Sequence, residues 1–161
     1  MNIAYLLIGG NLGKREENLS NAVSFIIKQC GLVSQSSSIY ETAPWGNTDQ
    51  PSFLNLALEV RTNLNARQLI RHILKIEKMM GRIRKEKLEP RIIDIDILFF
   101  NDEIHDLSFL KVPHPEIQNR RFALTPMAEI AGTLIHPVLK KSITQLLDEC
   151  PDKSDVKKIT D

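Results

Sequence analysis

Two aspartates two residues apart, Asp94 and Asp96, sit inside the apolar run Ile92-Ile93-Asp94-Ile95-Asp96-Ile97-Leu98-Phe99-Phe100. The stretch from Pro90 to Phe100 reads as a β-strand: it is short, rich in Ile and Phe, and ends at the turn pair Asn101-Asp102. Side chains alternate across a strand, so both carboxylates project from one face with Leu98 and Phe100. Ile93, Ile95, Ile97 and Phe99 take the other, the core face. The carboxylates are spaced by roughly 6.6 Å, two residues of strand rise. Asp is depleted in strands, so this pair marks either a solvated face or a divalent-cation site. Magnesium suits it, because that ion takes one or two carboxylates and completes its shell with water and substrate phosphates.

The segment before the strand is basic. Arg82 to Arg91 holds five cations and two acids. That is either a solvated loop or, beside a metal pair, the equipment of phosphate chemistry. Arginine offers a planar fork to phosphate oxygens, and loops that close over phosphates exclude water. A second long, turn-rich loop runs from Glu41 to Pro51 and carries the only tryptophan, Trp45; loops of this length are often functional. Trp45, Phe53 and Phe122 can sandwich a flat aromatic substrate, and Asn55 can hydrogen-bond its edge. Any one of these aromatics is more often a core residue than a ligand wall; the set gains from lying near polar loop residues. Together the features point to a nucleotide-dependent transferase, with metal and arginines neutralising charge on the transferring group.

Several elements must position those residues. Ile3 to Ile8 reads as a buried first strand, broken by Gly9-Gly10-Asn11-Leu12-Gly13. Gly13-Lys14 is not a phosphate loop, since that motif needs Gly at Ile8 and Ser or Thr at Arg15. Leu19, Ala22, Val23, Ile26 and Ile27 form one face of a helix that Gly31 ends. Leu32 to Tyr40 reads as a second strand. Phe53 to Thr62 reads as a third, with Phe53, Asn55, Ala57 and Glu59 on one face. Asn65 and Gln68 cap a second helix, striped by Ala66, Leu69, Ile70, Ile73, Ile76 and Met80 and closed by Gly81. Glu77 lies at the edge of that stripe, where a solvated glutamate is the ordinary reading. Beyond Phe100 the sequence predicts an edge hairpin around Ile104 and Phe109 to Val112, then a bend at Val112-Pro113-His114-Pro115. A short helix over Met127 to Ala131, a last helix capped at Ser142 and a loose tail from Pro151 follow.

The order strand, helix, strand, strand, helix, strand is an α+β, ferredoxin-like βαββαβ arrangement. It is an antiparallel sheet with two helices on one face, here with C-terminal additions. The 161 residues suit one domain, residues 1–161. A formal net charge of +1 argues against nucleic acid as a partner. Cys30 and Cys150 are far apart and read as free thiols in a reducing compartment, which predicts a cytoplasmic protein. No signal peptide is evident, and no apolar run approaches the ~18 residues of a membrane span.

The chain resembles the 6-hydroxymethyl-7,8-dihydropterin pyrophosphokinases (HPPK) of folate biosynthesis. The signature is Pro90-Arg91-x-x-Asp94-x-Asp96-Ile97-Leu98. It is joined, in family order, by Tyr5 to Asn11, Tyr40 to Gly46, Asp49 to Asn55, Glu77 to Arg84, Val112-Pro113-His114 and Asn119 to Phe122. The resemblance implies transfer of the β,γ-pyrophosphoryl group of ATP to the pterin hydroxymethyl group, releasing AMP. It implies two magnesium ions on Asp94 and Asp96, and a loop whose Arg82 and Arg91 serve the transferring phosphates, with Arg84 near them. Glu77, Ile97, His114 and Arg120 match nucleotide-contacting positions, His114 as a donor to phosphate. Thr42, Pro44, Trp45, Phe53, Asn55 and Phe122 match the pterin pocket. The implied mechanism is in-line attack of the pterin hydroxyl on the β-phosphorus, with Asp96 the candidate proton acceptor. The implied partners are the two small substrates, acting on a monomer. Three positions depart from the family pattern: Leu88-Glu89 replaces a Trp-Gly pair, Phe109 a basic residue, and Trp45 a smaller aliphatic. A polymerase- or cyclase-like palm, an RNA-binding sheet and a non-catalytic ligand-binding domain are the competing readings of the same architecture. Paired aspartates without metal repel phosphate, which disfavours the RNA reading.

Overall fold

The computed structural model describes residues 1–44, 49–81 and 92–159. Trp45, Arg82, Arg84 and Arg91, with Leu88-Glu89, lie outside the described residues. The elements run β1 (Asn2–Gly10), α1 (Arg15–Gln29), β2 (Leu32–Ser36), β3 (Tyr40–Thr42), β4 (Phe53–Thr62), α2 (Ala66–Met79) and β5 (Asp94–Phe100). There follow a small hairpin of β6 (His105–Leu107) and β7 (Leu110–Val112), then α3 (Arg121–Ala131), α4 (Ile143–Asp148) and β8 (Val156–Lys158). The main sheet is ordered β5-β1-β4-β3-β8, with β2 beside β3 along β4. Every strand pairing in it is antiparallel. This is the ferredoxin-like sheet expected from the sequence, with β8 added at one edge.

One face of the sheet is closed by α1 and α2. Leu6, Ile8, Leu54, Leu56, Leu58, Ile95 and Ile97 meet Leu19, Ala22, Ile26, Leu69, Ile73 and Ile76 there. Each such side chain contributes about 1.5–3 kcal/mol by leaving water. Ile27, expected on this face, is 53% exposed; 3.6-residue periodicity carries it past the contact stripe. The α2 capping box forms as its residues imply, with Gln68 N–H donating to Asn65 Oδ1 and Gln68 Oε1 accepting from Asn65 N–H, both at 2.9 Å. Gly81 closes α2 with a φ of 86°, a left-handed turn that suits glycine.

Among the described residues, the other face is only half covered. Tyr5, Leu7, Ala57, Leu98 and Phe99 pack under Ile117, Leu124, Met127, Ile143 and Leu146, from the chain beyond β7. Strand alternation alone puts Phe99 on the helix-packed side and Phe100 opposite; the structure reverses both. Leu6 pairs with Ile97 and Tyr5 with Phe99, so Leu98 is an extra residue that shifts the register. Such a bulge moves every later side chain to the other face.

Other expectations are corrected by backbone hydrogen bonding. Gly9 and Gly10 do not break β1; they continue it against Asn55 and Leu54. The strand expected over Leu32 to Tyr40 splits in two. At the gap, Ser37 Oγ accepts the Ala57 N–H at 2.8 Å and so takes a strand partner's place. α3 starts at Arg121, six residues before the expected start at Met127, because Asp152 accepts the Arg121 N–H at 3.1 Å and caps it from afar. The tail is not loose over Val156–Lys158, which pairs with β3.

Candidate active site

The part of the second sheet face that no described helix covers lies at the ends of β1, β4 and β5. Gly9 pairs with Asn55 on one side and with Asp94 on the other. Leu7 likewise lies between Ala57 and Asp96. Residues directly opposite one another share a face, so Asn55, Asp94 and Asp96 look out together, as the sequence predicted. Both aspartates are half-buried. Strand spacing sets Asn55 and Asp94 roughly 10 Å apart, two strand separations.

Two polar side chains are buried in one corner of this end. Asn55 is 6% exposed. Thr42, on β3, is 2% exposed and its Oγ1 is buried without a partner among the described residues. Thr42 pairs with Phe53, so hydroxyl, ring and carboxamide occupy one corner. Pro44 follows, half-buried, at the mouth of the long loop. A buried polar group without a partner costs about 1–3 kcal/mol, so the Thr42 hydroxyl beside the Asn55 carboxamide marks a place suited to a ligand.

The loop after β3 is held by residues that its own composition does not reveal. Asn11, 1% exposed, donates to Gln50 Oε1 at 2.7 Å and to the Pro51 carbonyl at 3.0 Å. Arg15 donates to Glu41 before the loop at 2.8 Å and to the Ser52 carbonyl after it at 2.9 Å. Both ends are thereby tied to the start of α1. The signal was present in the polar residues following β1, but only the strand register aims them.

The outer edge of β5 gathers a second set. Glu77 is 2% exposed rather than solvated, and it accepts the Ile95 N–H at 2.7 Å. That N–H lies between the two aspartates and points away from β1. Ile97, two residues on, aims its backbone the same way by strand alternation, while its side chain is buried among the helices. His114 donates its N–H to the Leu98 carbonyl at 3.0 Å, which seats the imidazole beside this edge. Its Nδ1 accepts the Glu116 N–H at 3.2 Å, so the ring is neutral with its proton on Nε2. Burial pushes His114 down to about 4, helped by Arg120 and opposed by Asp94 and Glu116. Arg120 also lies over the Phe122 ring, 5.7 Å from its centroid. Thus His114, Arg120 and Phe122 converge on the Asp94 end of the sheet.

The donor set fits magnesium. Asp94 and Asp96 supply hard oxygens only, and no group of three His, Cys, Asp or Glu gathers among the described residues. That leaves the coordination positions that magnesium prefers to fill with water and phosphate.

Comparison with known proteins assigns the arrangement. Residues 5–132 match the family model described as 7,8-dihydro-6-hydroxymethylpterin-pyrophosphokinase. The 2-amino-4-hydroxy-6-hydroxymethyldihydropteridine pyrophosphokinase of Bacillus subtilis (strain 168) is 45% identical over 130 residues, 80% of this chain and 78% of that protein. Its namesake in Aquifex aeolicus is 36% identical and covers 92% of each chain. The crystal structure of Plasmodium falciparum HPPK-DHPS with pterin and p-hydroxybenzoate shares the fold, with a TM-score of 0.75 at 19% identity. It is matched over 92% of this chain but only 43% of its own length. On sequence and fold together, this chain belongs to the 7,8-dihydro-6-hydroxymethylpterin-pyrophosphokinase family.

Proposed function

We infer that this chain transfers the β,γ-pyrophosphoryl group of ATP to the hydroxyl of 6-hydroxymethyl-7,8-dihydropterin, giving the pterin diphosphate and AMP in folate biosynthesis. The observation that carries this reading is the corner beside the aspartates, where the buried Thr42 hydroxyl has no partner among the described residues and the buried Asn55 carboxamide lies next to it. A pterin edge is a dense row of donors and acceptors, and a carboxamide offers both. Phe53 and Phe122 lie at the same end of the sheet and serve as ring walls, with Pro44 and Trp45 completing the pocket. A palm that reads nucleic acid has no use for this corner.

In the reaction, the hydroxyl oxygen attacks the β-phosphorus, and the bond from that phosphorus to the bridging oxygen of the α-phosphate breaks. AMP leaves with that oxygen, and the hydroxyl proton passes to a carboxylate, for which Asp96 is our candidate. Asp94 and Asp96 would hold two magnesium ions, which supply charge neutralisation to the phosphate oxygens. His114 donates from Nε2 to phosphate without carrying charge of its own. Arg120 supplies a fixed positive charge beside it, and Arg82 and Arg91, with Arg84, complete the phosphate cradle. Glu77 and the Ile97 backbone line the nucleotide side at the β5 edge. Residues 1–161 act as one domain, which we propose to be a cytoplasmic monomer. Among the described residues no helix is long and apolar enough to cross a membrane.

The test is AMP release from ATP and magnesium with and without the pterin. Pterin-dependent AMP that Asp96→Ala abolishes supports the reading. A folded, magnesium-loaded protein that binds the pterin but forms no AMP is the ligand-binding domain instead.

A further inference from the structure

We propose that Gly9 is a positioning residue for pterin recognition: its bare backbone provides the space in which the Asn55 carboxamide lies across β1. The inference rests on the pterin-pocket reading given above. Glycine weakens a strand, so its presence at a paired position near the end of β1 needs a cause. Backbone strain is not that cause, because the left-handed glycines are Gly13 and Gly81 and not Gly9. Packing is. A Cβ built on Gly9 would sit 2.1 Å from Asn55 Oδ1 and 3.0 Å from Asn55 Cγ, with the Leu54 carbonyl oxygen at 3.1 Å. The carbonyl contact asks for a shift of a few tenths of an ångström. The carboxamide contact cannot be met at all unless Asn55 turns away.

The placement matters because of the rung it occupies. Tyr5 and Leu7 fill the same face of β1 with side chains further down the strand. Gly9 is the first position on that face with none, and it lies between Asn55 and Asp94. It leaves a floor about 10 Å wide, two strand spacings, between the group that would read the ring edge and the first metal carboxylate. A bicyclic ring carrying a hydroxymethyl arm spans such a gap. A Cβ at position 9 would turn the Asn55 carboxamide out of its place on that floor. The effect therefore falls on pterin recognition and not on the nucleotide edge of β5.

Steady-state kinetics on Gly9→Ala, Asn55→Ala and the double variant test this. Gly9→Ala is expected to raise the pterin KM about tenfold, the loss of one or two polar contacts, with the ATP KM within about twofold of wild type. On the Asn55→Ala background, Gly9→Ala should add less than about twofold, because the two act through one group. An unchanged pterin KM in Gly9→Ala, or an equal added factor on both backgrounds, overturns the proposal. An unchanged pterin KM in Asn55→Ala overturns the pocket assignment itself, and Gly9 loses its role with it. Should Gly9→Ala fail to fold, recovery in the double variant supports the Asn55 clash. Failure of both shows that the glycine serves the Leu54 backbone instead.

Discussion

The two ends of one sheet face treat polar residues in opposite ways. At the covered end, Glu59 is 7% exposed and fully engaged: the Tyr5 hydroxyl donates to its Oε2 at 2.7 Å and the Ser34 hydroxyl to its Oε1 at 2.7 Å. Burial pushes the Glu59 carboxyl up, but the two hydroxyls together with the Arg61 charge and a hydrogen bond from Gln35 outweigh it and hold the pKa below the usual range. At the other end, Asn55 is about as buried, and beside it the Thr42 Oγ1 is buried with no partner among the described residues. Glu59 and Asn55 share β4 and its facing. What differs is the covering: α3 and α4 lie over the first end, while among the described residues the second is bordered by β3 and the β5 edge. A buried hydroxyl that the fold leaves without a partner is available to a ligand.

That contrast can be broken at several points. The largest effect should come from Asp96→Ala, which removes one of the two carboxylates proposed to hold magnesium. Its kcat is expected to fall on the order of 10³-fold, as for loss of a central electrostatic group, with melting temperature held or raised. A turnover rate near wild type would remove Asp96 from the chemistry. Glu59→Ala should do the converse. Leaving the Tyr5 and Ser34 hydroxyls stranded costs about 1–3 kcal/mol of stability, read by urea denaturation, while the pterin KM stays put.

His114 sharpens the comparison through pH. Its pKa is about 4 in the fold against 6.5 for an ordinary imidazole, chiefly from burial. The unfolded chain therefore binds the proton more tightly. Stability is full above pH 6.5 and is lost as pH falls toward about 4, by at most about 1.4 kcal/mol per unit. Denaturation of the metal-free protein at pH 7 and pH 5 should show this loss, and His114→Asn should flatten it; an equal loss in both would acquit the histidine. The smallest effect belongs to Arg15→Ala. A half-exposed tie contributes about 0.2–1 kcal/mol, so the pterin KM should rise by no more than about fivefold with ATP binding unaltered.

Much of this was legible in the sequence. The apolar stripes of α1 and α2 and the alternation along β4 follow from local periodicity, and the aspartate strand forms where its residue types place it. What was not legible depends on long-range pairing. The Leu98 bulge exchanges the faces of Phe99 and Phe100, and nothing local marks it. Asp152 caps α3 from 31 residues away. Glu77 reads as solvated on its own helix and becomes buried only because β5 presents the Ile95 N–H to it. Gly9 looks like a strand breaker until its register places it opposite Asn55.

The most direct test of the contrast is equilibrium binding of the pterin, with magnesium and a non-hydrolysable ATP analogue present, to Asn55→Ala and Glu59→Ala side by side. The account predicts that Asn55→Ala weakens binding about tenfold or more and Glu59→Ala by less than about twofold. Equal losses in the two, or a larger loss in Glu59→Ala, would contradict it.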